Sequence, residues 1–269
     1  MSDNGISAII DLERYPIADL TRPEAGAVID DCQRQLAESG LCLLPGFVRA
    51  DALAAMSEDA RRLTPQAHHT EHWRASERGD GSPEAGTLAR ATRASMASIA
   101  YDHLTEGSLL RRLYEWDGLA AFLTAIFDDA HLYPCADPLV SCMMTLCRDG
   151  DELGWHYDPN EGVVSLLLQS PDSGGAFEFV PGLRTAQDAE AKELALLEGG
   201  EEGLLRPPIA PGTLSLFNGR NALHRVAPVR GEAPRVMALL SYAAEPGYVF
   251  SEDIHRKFFG RTAQQGVSS

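Results

Sequence analysis

LVSCMMTLC (139–147), LGWHYD (153–158), VVSLLLQ (163–169), AFEFV (176–180), TLSLFN (213–218), ALHRVAPV (222–229) and RVMALLSYA (235–243) follow one another through the second half of the chain. Each run is short and either apolar or alternating. Turn-forming stretches separate them: DGDELG (149–154), DPNEG (158–162), SPDSGG (170–175), RPPIAPG (206–212) and RGEAP (230–234). Short strands with such regular turn punctuation predict a β-sandwich or barrel. This strand-rich region is expected over 131–250, with a tail at 251–269. An acidic insertion containing Ala and Leu, 184–206, interrupts it and predicts a short helix.

Toward the N-terminus the period changes. In PEAGAVIDDCQRQLAES (23–39), Val28, Cys32 and Leu36 fall four apart on one helical face, with Pro23 suited to the first turn and Gly40 to the stop. LCLLPG (41–46) reads as a strand and a turn. Leu53, Met56, Ala60 and Leu63 repeat the helical pattern over 51–63, with Asp51 as the expected N-cap. Residues 108–127 are helical again, with a break near Asp117–Gly118. Between these, 64–90 is polar and holds Pro65, Pro83 and several glycines, which predicts a long surface loop of the kind that forms lids or binding loops. The expectation is one domain over 1–269: a mostly helical wrapping over 1–130 around a β core.

The chain has 269 residues, 44% of them hydrophobic and 23% charged, which excludes disordered, collagen-like and coiled-coil classes. Lys and Arg number 23 against 39 Asp and Glu, a formal net charge of −16. Such a surface repels phosphate backbones and anionic lipid, so neither nucleic acid nor membrane is an expected partner. The N-terminal residues lack the basic and apolar regions of a signal peptide. The five cysteines form no CxxC pair and read as small buried hydrophobes in a reducing, cytoplasmic setting. Oligomeric state is left open.

The chemistry-bearing residues are His156, Asp158 and His224. His156-Tyr157-Asp158 ends a predicted strand, and residues two apart on a strand share a face. His224, in a second predicted strand, is expected to reach the same point from a facing strand. Two imidazoles and one carboxylate on one side of an ion leave adjacent positions open, the donor set of a non-haem Fe(II) oxygenase. Zinc accepts the same donors, but no H-E-x-x-H motif accompanies them. Arg235 follows after the RGEAP turn; if the two strands form a hairpin, its guanidinium faces inward near the ion, where its rigid fork fits a carboxylate. A strand-interior arginine beside Val236 and Leu239 has to be paired.

These residues resemble the Fe(II)/2-oxoglutarate-dependent dioxygenase superfamily, whose pattern is H-x-D, a distal His, and an Arg on the following strand. The resemblance implies a mainly β fold with flanking helices around a double-stranded β-helix (jelly-roll, cupin-like) core. It implies Fe(II) on His156, Asp158 and His224, 2-oxoglutarate as co-substrate with its distal carboxylate on Arg235, and O2 as oxidant. GDELGWHYD (150–158), VSLLLQ (164–169), GGAFEFVPGLR (174–184) and the segment FNGRNALHRVAPVRG (217–231) with its following Pro234-Arg235 are similar to the free-amino-acid (lysine) halogenase branch and its hydroxylating relatives. IAYDHL (99–104) and LYEWDGL (113–119) extend the likeness. Halogenases of that branch carry a small residue at the metal carboxylate; here Asp158 is present, which implies hydroxylation. The function expected is hydroxylation of an unactivated C–H of a small polar metabolite, a free amino acid or derivative, with release of succinate and CO2. Two alternatives stand beside it: a non-catalytic jelly-roll that binds metal or ligand, and an oxygenase acting on a protein substrate.

Outside the ligand set, Arg93 is a candidate for a substrate carboxylate, against the commoner reading of a surface ion pair. Ser241 shares the strand face of Arg235 and is a second substrate candidate. Trp155 and Tyr157 are expected on the opposite face, packing the sheet. Asn218-Gly219 reads as a turn, and the histidines of HHTEH (68–72) as a solvated loop without metal.

Overall fold

Pro23 and Gly40 bracket the first helix as their chemistry predicts. In the computed structural model, which describes residues 5–74, 92–127, 131–158 and 162–263, α1 spans Pro23–Ser39. Gly40 closes it at φ 74°, its N–H bonded to the Leu36 carbonyl at 2.8 Å. That left-handed conformation is one glycine adopts without steric cost. β1 (Leu41–Leu44) follows directly. α2 (Ala50–Leu63) turns Ala52, Met56, Ala60 and Leu63 inward. Its N-cap is Arg49 and not Asp51; Asp51 sits in the first turn, where a negative charge meets the positive helix end.

β2 (His68–Arg74) and β3 (Thr92–Ile99) come next, then α3 (Leu109–Tyr114) and α4 (Asp117–Phe127), broken at Glu115–Trp116. Beyond them lie β4 (Tyr133–Pro134), β5 (Cys142–Cys147), β6 (Glu152–His156), β7 (Val163–Gln169), β8 (Ser173–Gly174) and β9 (Phe177–Val180). α5 (Ala189–Leu197) lies inside the predicted insertion. β10 (Leu214–Phe217), β11 (Leu223–Val226), β12 (Val229–Arg230), β13 (Arg235–Leu240), β14 (Tyr242–Ala243) and α6 (Glu252–Phe259) complete the chain.

One sheet carries the site. Its hydrogen-bonded order is β1-β10-β7-β13-β5-β3-β6-β11-β9, with β2 added on β3. β5 and β6 are successive pieces of a bent path joined by the 148–151 turn, and β3 spans the bend by pairing with both. The Ser95 hydroxyl binds Asp151 at this turn, and Val229 exchanges backbone hydrogen bonds with Gly150 and Asp151. The sheet curls until its ends meet: Phe217 of β10 packs against Phe177 and Phe179 of β9 at ring separations of 5.0 and 5.3 Å. The result is a jelly-roll, mainly antiparallel, with α1 to α5 on its outside and α6 against inner-face residues Met143, Cys147 and Leu239.

Alternation along each strand divides two faces. On the outer face Cys42, Met144, Leu146, Leu166, Leu216 and Ala238 join residues of α1 to α4 in the main core. The inner face carries Met143, Thr145, Cys147, Leu167, Arg235, Met237 and Leu239. α5 covers the outside of the other half of the curl, where Trp155, Leu183, Leu196 and Leu223 cluster with Tyr157. Trp155 and Tyr157 are thus sheet-packing aromatics.

Three expectations are corrected. His68–Arg74 is not loop but a strand, paired with β3 from His68↔Ser98 to Arg74↔Thr92; the ladder satisfies its backbone, so it needs no apolar pattern. The rest of the expected 64–90 loop, from 75 on, lies outside the described residues. The N-terminal region is not merely a wrapping, since β1, β2 and β3 belong to the sheet and β3 is its hinge. The expected tail contains α6, whose Phe258 packs against Met96 of β3 and whose Lys257 carbonyl accepts the Thr70 hydroxyl of β2 at 2.7 Å, while Ile254 and Phe259 cluster with Ala100, Leu139, Val140 and Met143. All five cysteines are buried and free. Among the described residues no helix is long and apolar enough to cross a membrane.

Candidate metal centre

His156 and His224 are register partners on adjacent strands, β6 and β11. The second imidazole arrives from a hydrogen-bonded neighbour, not from a facing strand as expected. The ring centroids are 4.1 Å apart. Each ring is oriented by a main-chain carbonyl two residues earlier: His156 Nδ1 donates to Gly154 O at 2.8 Å and His224 Nδ1 to Ala222 O at 2.9 Å. A carbonyl only accepts, so the proton sits on Nδ1 and the Nε2 lone pair of each ring is left for a ligand.

Asp158 meets both lone pairs. Its Oδ1 is 3.6 Å from His156 Nε2 and its Oδ2 3.3 Å from His224 Nε2. β6 ends at His156, so the carboxylate is not placed by the strand ladder. A single bond extends the alignment: Asp158 N donates to Gly219 O at 3.0 Å. One donor atom from each of the three residues falls within 4.8 Å of the others, and among the described residues this is the only such group of His, Cys, Asp or Glu. HHTEH therefore forms no second cluster of this kind.

These donors fit a divalent first-row ion. Two neutral imidazoles and one carboxylate within this spacing can share an ion at roughly 2.0–2.2 Å. The carbonyls behind Nδ1 are the outer contacts that fix ligand orientation in such centres. Phe217 and Phe177 pack on His224 at 4.9 and 5.9 Å, an apolar wall that keeps water from that side of the ring.

Arg235 enters from the opposite half of the curl. β13 pairs with β5 and β7, while β11 pairs with β6 and β9, so the two do not form the expected hairpin. The side chain is 7% exposed, with Cys147 beside it. Gly175, at φ 62°, lies against it: a methyl there would stand 3.3 Å from Arg235 Cδ and 3.1 Å from Val229 Cγ2. Among the described residues no carboxylate lies within ion-pairing distance of this guanidinium. Burial holds its pKa below the usual arginine value. A buried fork with no counter-charge among the described residues has the chemistry to take an anion.

Arg93 is not brought to this centre. Its guanidinium pairs with Glu71 at 3.1 Å, lies 3.8 Å from Glu152 and donates to Gly150 O at 2.8 Å. It lies on the face of β3 opposite Met96, which clusters with Cys147 and Val229 next to Arg235. Ser241 follows the end of β13, six residues and about 20 Å along an extended chain from Arg235. Its hydroxyl donates to Val140 O at 3.2 Å. Sequence reading passed over Gly219 as turn chemistry, although its carbonyl holds Asp158. Nothing in the local pattern of 218–219 marks that contact, which joins residues 61 positions apart.

The family model described as Halogenase D matches residues 25–258. No curated protein matches the chain in sequence. Among solved structures, the chain is similar to HygX from Streptomyces hygroscopicus, solved with nickel, 2-oxoglutarate and hygromycin B (14% identity, 80% of this chain and 87% of that one, TM-score 0.56). It is similar to the non-heme α-ketoglutarate-dependent epimerase SnoN from nogalamycin biosynthesis (17%, 81% and 81%, TM-score 0.55). It also resembles an oxidoreductase of the 2OG-Fe(II) oxygenase family from Burkholderia pseudomallei (18%, 81% and 92%, TM-score 0.52). The likeness of fold and the match along most of the sequence agree: the chain has the fold of these solved structures and belongs to the Halogenase D family.

Proposed function

We propose that the protein hydroxylates an unactivated C–H of a small polar metabolite, a free amino acid or a derivative of one. It is an Fe(II)/2-oxoglutarate-dependent dioxygenase, with O2 as oxidant. His156, Asp158 and His224 would hold the iron, and Arg235 the distal carboxylate of 2-oxoglutarate. Bound iron would supply the oxidising chemistry, with 2-oxoglutarate leaving as succinate and CO2.

The protein's own part is placement. The Gly154 and Ala222 carbonyls keep the imidazoles in the ligating tautomer. Arg235 offers two parallel N–H donors to a carboxylate, and Met237 and Leu239 line the same strand face without competing donors. Phe177 and Phe217 exclude water beside His224.

One observation carries hydroxylation over halogenation: the Asp158 carboxylate stands within 3.6 Å of both Nε2 atoms. On a bound ion it would fill the position that a halide needs. Hygromycin B bound to HygX and nogalamycin RO bound to SnoN support a small-molecule substrate, although a prolyl hydroxylase of similar fold is bound to a peptide. The test is a screen of free amino acids for substrate-dependent succinate release with Fe(II) and O2, with mass spectrometry of the product. A gain of one oxygen is expected. Replacement of hydrogen by chlorine would overturn the hydroxylase reading, and uncoupled turnover with every amino acid would overturn the substrate class.

A further inference from the structure

Asp158 is held from outside its own strand, and the residue that holds it is a glycine. Asp158 N donates to Gly219 O at 3.0 Å, which lays the 157–158 segment flat against the 218–219 turn. The turn is anchored in its own right, since Asn218 N donates to Gly40 O at 2.8 Å. A methyl group on the Gly219 Cα would overlap Asp158 Oδ2 and stand 2.7 Å from its Cγ and 3.0 Å from its Cβ. Gly219 is not among the residues at positive φ, so its backbone conformation is open to any residue. The requirement for glycine is therefore steric, and the group it protects is the carboxylate.

We infer that Gly219 is a positioning residue for the third metal ligand: the absence of a side chain there lets the Asp158 carboxylate face the two Nε2 atoms. The inference rests on the metal-centre reading. Any side chain at 219 drives Asp158 into another staggered rotamer. That movement costs the fold little, because what must yield is the carboxylate end of a partly exposed side chain, 21% accessible, with a shift of about a few tenths of an ångström at the Asp158 Cβ. It is costly for the ligand set, because the displaced carboxylate leaves Oδ2 away from His224 Nε2. The backbone bond from Asp158 N to the residue 219 carbonyl survives the substitution. The carbonyl of Gly219 thus sets the main chain of Asp158, and its missing side chain sets the carboxylate.

A double-mutant cycle tests this, read by Co(II) titration calorimetry and by the visible absorption of bound Co(II), without co-substrate or turnover. The four proteins are wild type, Gly219→Ala, Asp158→Gly and the double variant. Gly219→Ala is expected to weaken Co(II) binding about 10- to 100-fold, the usual cost of disturbing the groups that orient a ligand. Its Co(II) spectrum should move toward that of Asp158→Gly, and the melting temperature of the metal-free protein should hold. In the Asp158→Gly background Gly219→Ala should cost no further affinity, since no carboxylate is left to displace. Wild-type Co(II) affinity in Gly219→Ala overturns the inference, and so does an equal loss in both backgrounds, which would mark a structural role independent of Asp158. A wild-type chain that takes up no Co(II) overturns the metal-centre reading itself, and this inference with it.

Discussion

A free imidazole carries its proton on either nitrogen; His156 and His224 do not have that choice. The carbonyl of residue i−2 takes Nδ1–H in both, so Nε2 of each ring would be the atom offered to an ion. Arg235 shows the opposite condition. Its charge is buried beside Cys147 and apolar groups, with no carboxylate among the described residues to pair with it, so folding bears the desolvation and a bound dianion would recover it. Two consequences of opposite sign follow for Arg235→Met. The metal-free protein should melt at a higher temperature than wild type, because an uncompensated buried charge is gone. Binding of 2-oxoglutarate to the Co(II)-loaded protein should weaken about 10- to 100-fold, the worth of charged hydrogen bonds to a carboxylate. Calorimetry on both forms checks the pair; a lower melting temperature would show that the guanidinium already has its partner.

At the scale of elements, the C-terminal segment is clasped to the sheet by one buried carboxylate. Asp137, between β4 and β5, accepts Leu139 N and Val140 N at 2.8 Å, Phe250 N at 2.8 Å and His255 Nε2 at 2.7 Å. Its side chain is fully buried. Burial alone would raise its pKa; the hydrogen bonds from Val140, His255, Leu139 and Phe250 outweigh it and hold the carboxyl below the usual range. α6 in turn lies over β2 and β3. Removing the carboxylate leaves these donors buried and unpaired, so Asp137→Ala should destabilise the protein by about 3–5 kcal/mol. Hydrogen exchange should quicken first over 250–259, and protection there equal to wild type would show that α6 is held by its apolar contacts alone.

For the whole molecule, charge and burial pull in different directions as pH falls. The formal charge of −16 is relieved by protonating surface acids, which reduces self-repulsion. Two buried acids act the other way. Asp137 is one; Glu178 is the other, where burial raises the pKa but hydrogen bonds from Arg206 and Arg225 pull it below the ordinary value. A carboxyl with a depressed folded pKa contributes stability that is complete above its unfolded pKa, near 4, and is lost as pH falls through the lower folded value. Denaturant unfolding should therefore show little loss from pH 7 to about pH 5 and a steep loss below about pH 4. Asp137→Ala should flatten that acid limb, and an unchanged limb would assign it to other groups.

Much of this protein was legible in its sequence. The alternation and turn chemistry of 139–243 determined the strands. Pro23 and Gly40 marked a helix, and the residue types at 156, 158, 224 and 235 suggested a donor set and an anion fork, because those are local properties of composition and period. Polar His68–Arg74 hid a strand, since an edge ladder needs no apolar face. The route by which the donors meet was not legible either. That His224 pairs with His156 in register, that Arg235 comes from the other half of the curl, and that Gly219 leaves room for Asp158 are facts of sheet closure. Closure depends on contacts between strands distant in the chain, and the one-dimensional pattern carries no record of which distant strands touch.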